Sequence, residues 1–256
     1  MNALLFFVGT QLLALCRAAG GMALLLLYTL SCTARGAFDG RELIKNLHKM
    51  GVVSVPIVAL TALFTGGTMV IQSGIFVQRY QAYGLLGWGT VYAVLREVGP
   101  ILIGLMFSGR VGANNAADLG TMVVTDQVDG LRALAIEPLP FLIVPRVLAM
   151  VAAMFCLLVI GDAVAIFGGL VFGKLLLGVE FASFWASCAD AIKLWDLAVG
   201  LIKGCVFAGL IAITSCHYGL QVQGGAVGVG KAVNDAVVAA ALLIMVSDDL
   251  LTMVLR

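Results

Sequence analysis

The chain has 256 residues, of which 62% are hydrophobic and only 11% charged, with a formal net charge of +1. A mean hydropathy of +1.09 lies far outside the soluble range, so lipid is the solvent for most of the chain. The near-neutral charge gives no sign of a nucleic-acid partner, and the length suits about five or six spans in one unit.

Residues 1–32 are apolar but interrupted by Gln11, Arg17 and the Gly20-Gly21 pair. A signal peptide needs a basic region ahead of its apolar core, and this N-terminus has none. Two readings stand: a helix lying in the membrane interface, or a true span. The polar, basic stretch 33–50 suits a helix on the cytoplasmic surface and favours the interfacial reading. Residues 52–78 carry no charge and are long enough to span. Their Gly-, Thr- and Ser-rich segment TALFTGGTMVIQSG predicts a bend or local unwinding, tolerated only against protein or a cavity. Further spans are expected over 85–109, 141–173, 195–216 and 232–255, the 141–173 run being long enough to require tilt or projection. The fold class is thus an all-α integral membrane protein. Its N-terminal interfacial and surface helices occupy 1–50, and a transmembrane domain of about five spans occupies 51–256. The six cysteines are scattered, with no C-x-x-C, and indicate neither a disulfide framework nor a metal site.

With the N-terminus inside, the inner segments hold Arg17, Arg35, Arg41, Lys45, Lys49, Arg110, Arg132, Arg146 and Lys231. The outer segments hold only Arg79, Lys174, Lys193 and Arg256, and this bias supports a cytoplasmic N-terminus.

Charges inside spans are costly and read as functional by default. Arg96 and Glu97 interrupt the second expected span. Glu97 lies 13 residues before Arg110, roughly 20 Å up a helix and toward the outer leaflet. Adjacent helical residues do not share a face, so the two need separate partners or a wet cavity. Ligand contact and helix-to-helix pairing both fit them. Lys203 and Asp162 read as structural pairing groups, and Asp248 and Asp249, near an interface, receive no role. The run Gly225-Ala226-Val227-Gly228-Val229-Gly230-Lys231-Ala232 approaches a phosphate-binding loop. It lacks the Ser or Thr that would hold magnesium, and reads as a glycine-rich turn. No catalytic or metal-binding constellation is visible, so the chain does not read as an enzyme.

The stretch FSGRVGANNAADLGTMVVTDQVDGLRAL, residues 107–134, is polar in an apolar chain. Leu119, Met122, Val123, Val128, Leu131 and Leu134 recur at helical spacing, predicting an amphipathic helical hairpin. Thr125 is placed as an N-cap with Asp126 in the first turn, and Pro138 and Pro140 end the segment. A short amphipathic helix between two spans suits either force transfer from a cytoplasmic partner or a solvated loop on the headgroups.

Arg96-Glu97-Val98-Gly99-Pro100, Gly109-Arg110-Val111-Gly112-Ala113, Asp118-Leu119-Gly120-Thr121-Met122, Thr125-Asp126-Gln127-Val128-Asp129, Pro138 and Pro145-Arg146 together resemble the MlaE/YrbE family. The tail, Gly224-Gly225-Ala226 with Gly228-Val229-Gly230-Lys231-Ala232-Val233, resembles it too, so the likeness covers about residues 40–255. The departures are aspartates at 118 and 126, where the family usually has glutamate, and the unusual Asn114-Asn115 pair.

The resemblance implies a permease subunit of an ABC system that moves phospholipids between the inner membrane and periplasmic carriers, maintaining outer-membrane asymmetry. It implies a homodimer in the bacterial inner membrane with a cytoplasmic MlaF-like ATPase, an MlaB-like STAS-domain protein and a periplasmic MlaD-like MCE-domain hexamer. No cofactor belongs to this chain, ATP and magnesium being bound by the partner ATPase. By motif position Met69, Phe76, Val77, Tyr80, Arg96 and Glu97 would line the lipid cavity. Arg110, Asp118, Thr125, Asp126, Gln127, Asp129 and Arg132 would form the ATPase-coupling face. Permeation of another hydrophobic substrate, or ion-coupled secondary transport through Glu97 and Lys203, are the rival readings.

Overall fold

A computed structural model describes residues 2–36, 39–80, 86–191 and 193–255. Among them no strand occurs. The helices are α1 (Asn2–Ala34), α2 (Gly40–Met50), α3 (Val55–Tyr80), α4 (Leu86–Ala93), α5 (Gly99–Phe107), α6 (Ala113–Val124), α7 (Gln127–Ala133), α8 (Val144–Leu177), α9 (Phe181–Ala191), α10 (Leu194–Leu220) and α11 (Gly225–Val254). Turns of π-helix over Val94–Val98 and Ser108–Gly112 join α4, α5 and α6 into one run, and a third, Leu139–Ile143, leads into α8.

Six helical stretches among the described residues are long and apolar enough to cross a membrane: Cys16–Ala34, Gly40–Ile75, Leu86–Val124, Leu139–Leu177, Leu194–Leu220 and Gly225–Val254. The all-α membrane fold is as expected from composition. The first stretch adds a sixth helix of spanning length where five spans and an interfacial helix were expected. It belongs to one continuous 33-residue helix. That helix meets the bundle through its second half, where Gly21 packs on His217, and Met22 and Leu25 on the core. The 34 residues of α8 reach roughly 51 Å, well beyond the hydrocarbon thickness of about 30 Å.

The glycine-rich third helix corrects one expectation. It is α-helical throughout from Val55 to Tyr80, not unwound. Its glycines instead permit close approach to α8. A Cβ at Gly66 would overlap the Ala165 carbonyl, and one at Gly168 the Leu63 carbonyl. Gly67 receives the Phe172 ring and Gly74 the Leu177 side chain. Lipid tails are as apolar as leucine, so apolarity alone does not hold such a pair together; backbone proximity and dispersion do. Irregular backbone falls instead in the neighbouring α4–α6 run, at its two π turns, and at the π turn that leads into α8.

The main core lies among α5, α8 and α10, where Phe107, Met150, Met154, Leu157, Leu158, Phe207 and Ile211 are fully buried. The last helix contributes one stripe, Ala232, Ala236, Ala240, Ile244 and Asp248, at strict i,i+4 spacing. Its other faces expose Leu242, Val246, Leu250 and Met253. A short helix absent from the sequence reading, α9, packs on α4. Gly87 sits against the Phe184 carbonyl, and the Trp88 N–H donates to Ser187 Oγ at 3.0 Å.

Candidate functional site

Arg96 and Glu97 fall in the π turn between α4 and α5, and each faces a different helix, as adjacent helical residues must. Arg96 donates to Asp196 Oδ1 in the first turn of α10 at 3.1 Å and to the Leu255 carbonyl beyond α11 at 2.9 Å. The Tyr92 ring lies under the guanidinium, 5.5 Å from centroid to Cζ, and Trp88 stacks on Tyr92. Glu97 Oε2 accepts from Lys203 Nζ at 2.6 Å. Lys203 is fully buried, lies 3.0 Å from Asp248 Oδ1 and donates to Thr252 Oγ1 at 2.7 Å. Two cations thus meet three carboxylates where α10, α11 and the π turn converge. Glu97 is the open member: its side chain is 33% exposed, against 12% for Arg96 and none for Lys203.

Such a cluster satisfies the buried charges pairwise, which an apolar surround demands. Among the described residues, two of the five Arg96 N–H donors are engaged. A cluster that combines carboxylates with a guanidinium having further N–H donors offers both signs of charge, as a zwitterionic headgroup requires. Asp248, given no part by the sequence, belongs to the cluster, because i,i+4 spacing from Ile244 puts it on the buried stripe. Asp196 and Thr252 were also missed. Asp162 is not paired with Lys203. It is buried in α8, its Oδ1 has no hydrogen-bond partner among the described residues, and that oxygen would lie 2.7 Å from a Cβ on Gly99.

Of the other expected cavity residues, Met69 is half-buried against Ala62, Val94 and Ala165. Val77 is buried in a cluster with Val70, Leu86 and Leu170. Phe76 and Tyr80 lie on the last turns of α3, and their side chains lie outside the described residues. The large exposed apolar side chains among the described residues of this helix are instead Ile57, Leu60, Phe64, Ile71 and Ile75.

At the far end of the same run, α6 and α7 form the expected hairpin. Asp126 holds a left-handed conformation (φ 56°) at the N-cap position of α7, with no side-chain cap bond. Thr125, expected as the cap, closes α6 instead, its hydroxyl donating to the Thr121 carbonyl at 2.8 Å. Gln127 Nε2 donates to Thr125 Oγ1 at 3.0 Å, and Arg132 pairs with Asp129 at 2.8 Å on the exposed face. Asp118 pairs with Lys49 of α2. Beside that pair a cavity of about 170 Å³ is lined by Arg110, Asn114 and Asn115 among others. A larger one of about 510 Å³ lies between the hairpin and α1, with Val123, Val128, Leu139, Ile143 and Leu220 as floor and Tyr28, Asp129, Arg132 and Glu137 as rim. Tyr28 donates across it to Glu137 at 3.1 Å. Thr125, Asp126, Gln127, Asp129 and Arg132 of the hairpin are all exposed, whereas Asp118 and Arg110 are half-buried.

A polytopic α-helical protein with an ion-paired cluster among its helices and a polar hairpin projecting at the other end has the build of a membrane transport subunit. The family model described as Permease MlaE matches residues 43–254, and the chain belongs to that family. A probable ABC transporter permease of Rickettsia bellii is 35% identical over 245 residues, covering 96% of this chain and 95% of its own. A probable ABC transporter permease of Synechocystis is 34% identical over 218 residues, covering 85% and 83%. The intermembrane phospholipid transport system permease protein MlaE of Haemophilus influenzae is 31% identical over 214 residues, covering 83% and 82%.

Proposed function

We propose that this chain is the membrane permease subunit of an ABC transporter that moves phospholipid between the inner membrane and periplasmic carriers, sustaining outer-membrane lipid asymmetry. The observation that carries this is the family match across nearly the whole transmembrane domain, joined to the phospholipid transport named for the Haemophilus relative. The subunit works as a homodimer, N-terminus in the cytoplasm. ATP hydrolysis, with its magnesium, resides in a separate MlaF-like ATPase that meets Arg110, Asp118, Thr125, Asp126, Gln127, Asp129 and Arg132. An MlaB-like STAS protein and an MlaD-like MCE hexamer complete the system.

The lipid passes by Met69, Phe76, Val77, Tyr80, Arg96 and Glu97. The further N–H donors of Arg96 receive the phosphate, a task suited to a planar fork. Glu97, the exposed carboxylate, faces the headgroup and is held by Lys203. The burial of Val77 means that acyl chains reach it only if α3 parts from α4.

Purification from native membranes with mass spectrometry of bound proteins and lipids tests the reading. An ATPase and phospholipid are expected in the complex, with ATP hydrolysis absent from the isolated permease. A photoreactive residue at Phe76 should crosslink phospholipid, and less of it in a folded, ATPase-bound Arg96→Ala variant. A chain that carries no ATPase and transports on an ion gradient alone is a secondary transporter, and the proposal is then wrong.

A further inference from the structure

Asn115 was singled out by the sequence as unusual, and nothing in the proposed lipid or ATPase contacts uses it. It lies in α6 and is buried to 1% exposure. Its Nδ2 donates to Ser215 Oγ at 2.8 Å and to Cys216 Sγ at 3.3 Å, both on α10. Its Oδ1 accepts from Arg146 in the first turn of α8 at 2.9 Å, and the same guanidinium reaches Met122 Sδ at 3.7 Å. One side chain therefore joins three helices at the hairpin end.

The packing around it allows little slip. Gly112 of the adjoining π turn meets Ile211, and Gly219 meets Leu119 and the Ala116 carbonyl. The tenth helix is α-helical without interruption from Leu194 to Leu220, so Ser215 and Lys203 stand on one rod, 12 residues and roughly 18 Å apart. The covalent route from α6 to Arg96 and Glu97 is different. It crosses one π turn, Ser108–Gly112, and ends inside another, Val94–Val98, places where the regular helical hydrogen bonding is interrupted. The stiffer route from the hairpin to the charge cluster is the non-covalent one.

We infer that Asn115 is a positioning residue that transmits hairpin movement through Ser215 and α10 to the Lys203–Glu97–Asp248 cluster. A shift of α6 carries α10 along, because sliding between them would break buried hydrogen bonds that no water replaces. Lys203 and Asp196 then move relative to Glu97 and Arg96, changing what the guanidinium and carboxylate present to a lipid. The inference rests on the reading of the chain as an ATP-driven lipid permease.

The test uses the whole complex copurified with its ATPase, reconstituted in phosphatidylcholine–phosphatidylglycerol vesicles with a nitrobenzoxadiazole-labelled phosphatidylethanolamine. The readout is labelled lipid moved per ATP hydrolysed, with thermal stability measured alongside. Asn115→Leu should assemble and hydrolyse ATP, with lipid moved per ATP falling about fivefold or more. Asn115→Asp should keep most of the ratio, since a carboxylate accepts from Arg146 and, once the Ser215 hydroxyl turns from the Ala212 carbonyl, from Ser215 as well. A wild-type ratio in Asn115→Leu, even with lowered stability, overturns the inference and leaves the network a purely structural brace. If Asn115→Leu does not assemble, Ser215→Ala decides by the same ratio, a loss supporting the relay and an unchanged value refuting it. A wild-type complex that hydrolyses ATP and moves no lipid overturns the permease reading and this inference with it.

Discussion

Replacing Lys203 by methionine removes one cation and keeps nearly the same volume. Lys203 Nζ lies 2.6 Å from Glu97 and 3.0 Å from Asp248 and has no exposure of its own. Without it two carboxylates are left with the Thr252 hydroxyl and no cation between them. Glu97, 33% exposed, can rehydrate in part, whereas Asp248, 9% exposed, cannot. Breaking one side of a buried pair costs about 3–5 kcal/mol. In a chain of this size each kcal/mol lowers the melting temperature by roughly 2–4 °C, so Lys203→Met should melt about 6–20 °C below wild type. The triple variant Lys203→Met, Glu97→Gln, Asp248→Asn removes every charge of the trio and should recover most of that loss, because the penalty belongs to the unpaired carboxylates. Fluorescence-detected size exclusion after heating in detergent measures both. Wild-type melting of the single variant, or a triple variant no more stable than the single, would refute the pairing argument.

Charge reversal of Asp126 and Asp129 should leave stability within about 1 kcal/mol of wild type, since the Asp129–Arg132 pair is an exposed i,i+3 pair at the surface. The same reversal should reduce copurifying ATPase; undiminished copurification would remove the hairpin from the interface. A cysteine at Asn2, in a background free of native cysteines, is expected to react with a membrane-impermeant maleimide from the cytoplasmic side. Labelling from the periplasm alone would make α1 a sixth span. Gly66→Leu should prevent the close seating of α3 on α8, because even a Cβ there overlaps the Ala165 carbonyl. Yield and monodispersity should both collapse, while the same change at Gly89, which has open space around it, should be tolerated.

Much of the architecture was legible in residue order. Long uncharged runs define spans because a backbone in lipid must satisfy its own hydrogen bonds, and only helices do so within one segment. The hairpin was legible for a similar reason, its periodicity and its aspartates being local properties. So was the need of Arg96 and Glu97 for separate partners, which follows from helical geometry alone. The partners themselves were not. Asp196 lies 100 positions from Arg96 and Lys203 lies 106 from Glu97, and only the packing of α10 on the π turn selects them. The glycines of α3 show the same limit. Gly66-Gly67 reads equally as a flexible bend and as a seat for another helix, because glycine permits both. Tertiary contact with Ala165 and Phe172 makes it the seat. The Asn115 bridge needed three helices to be placed before its amide had anything to hold.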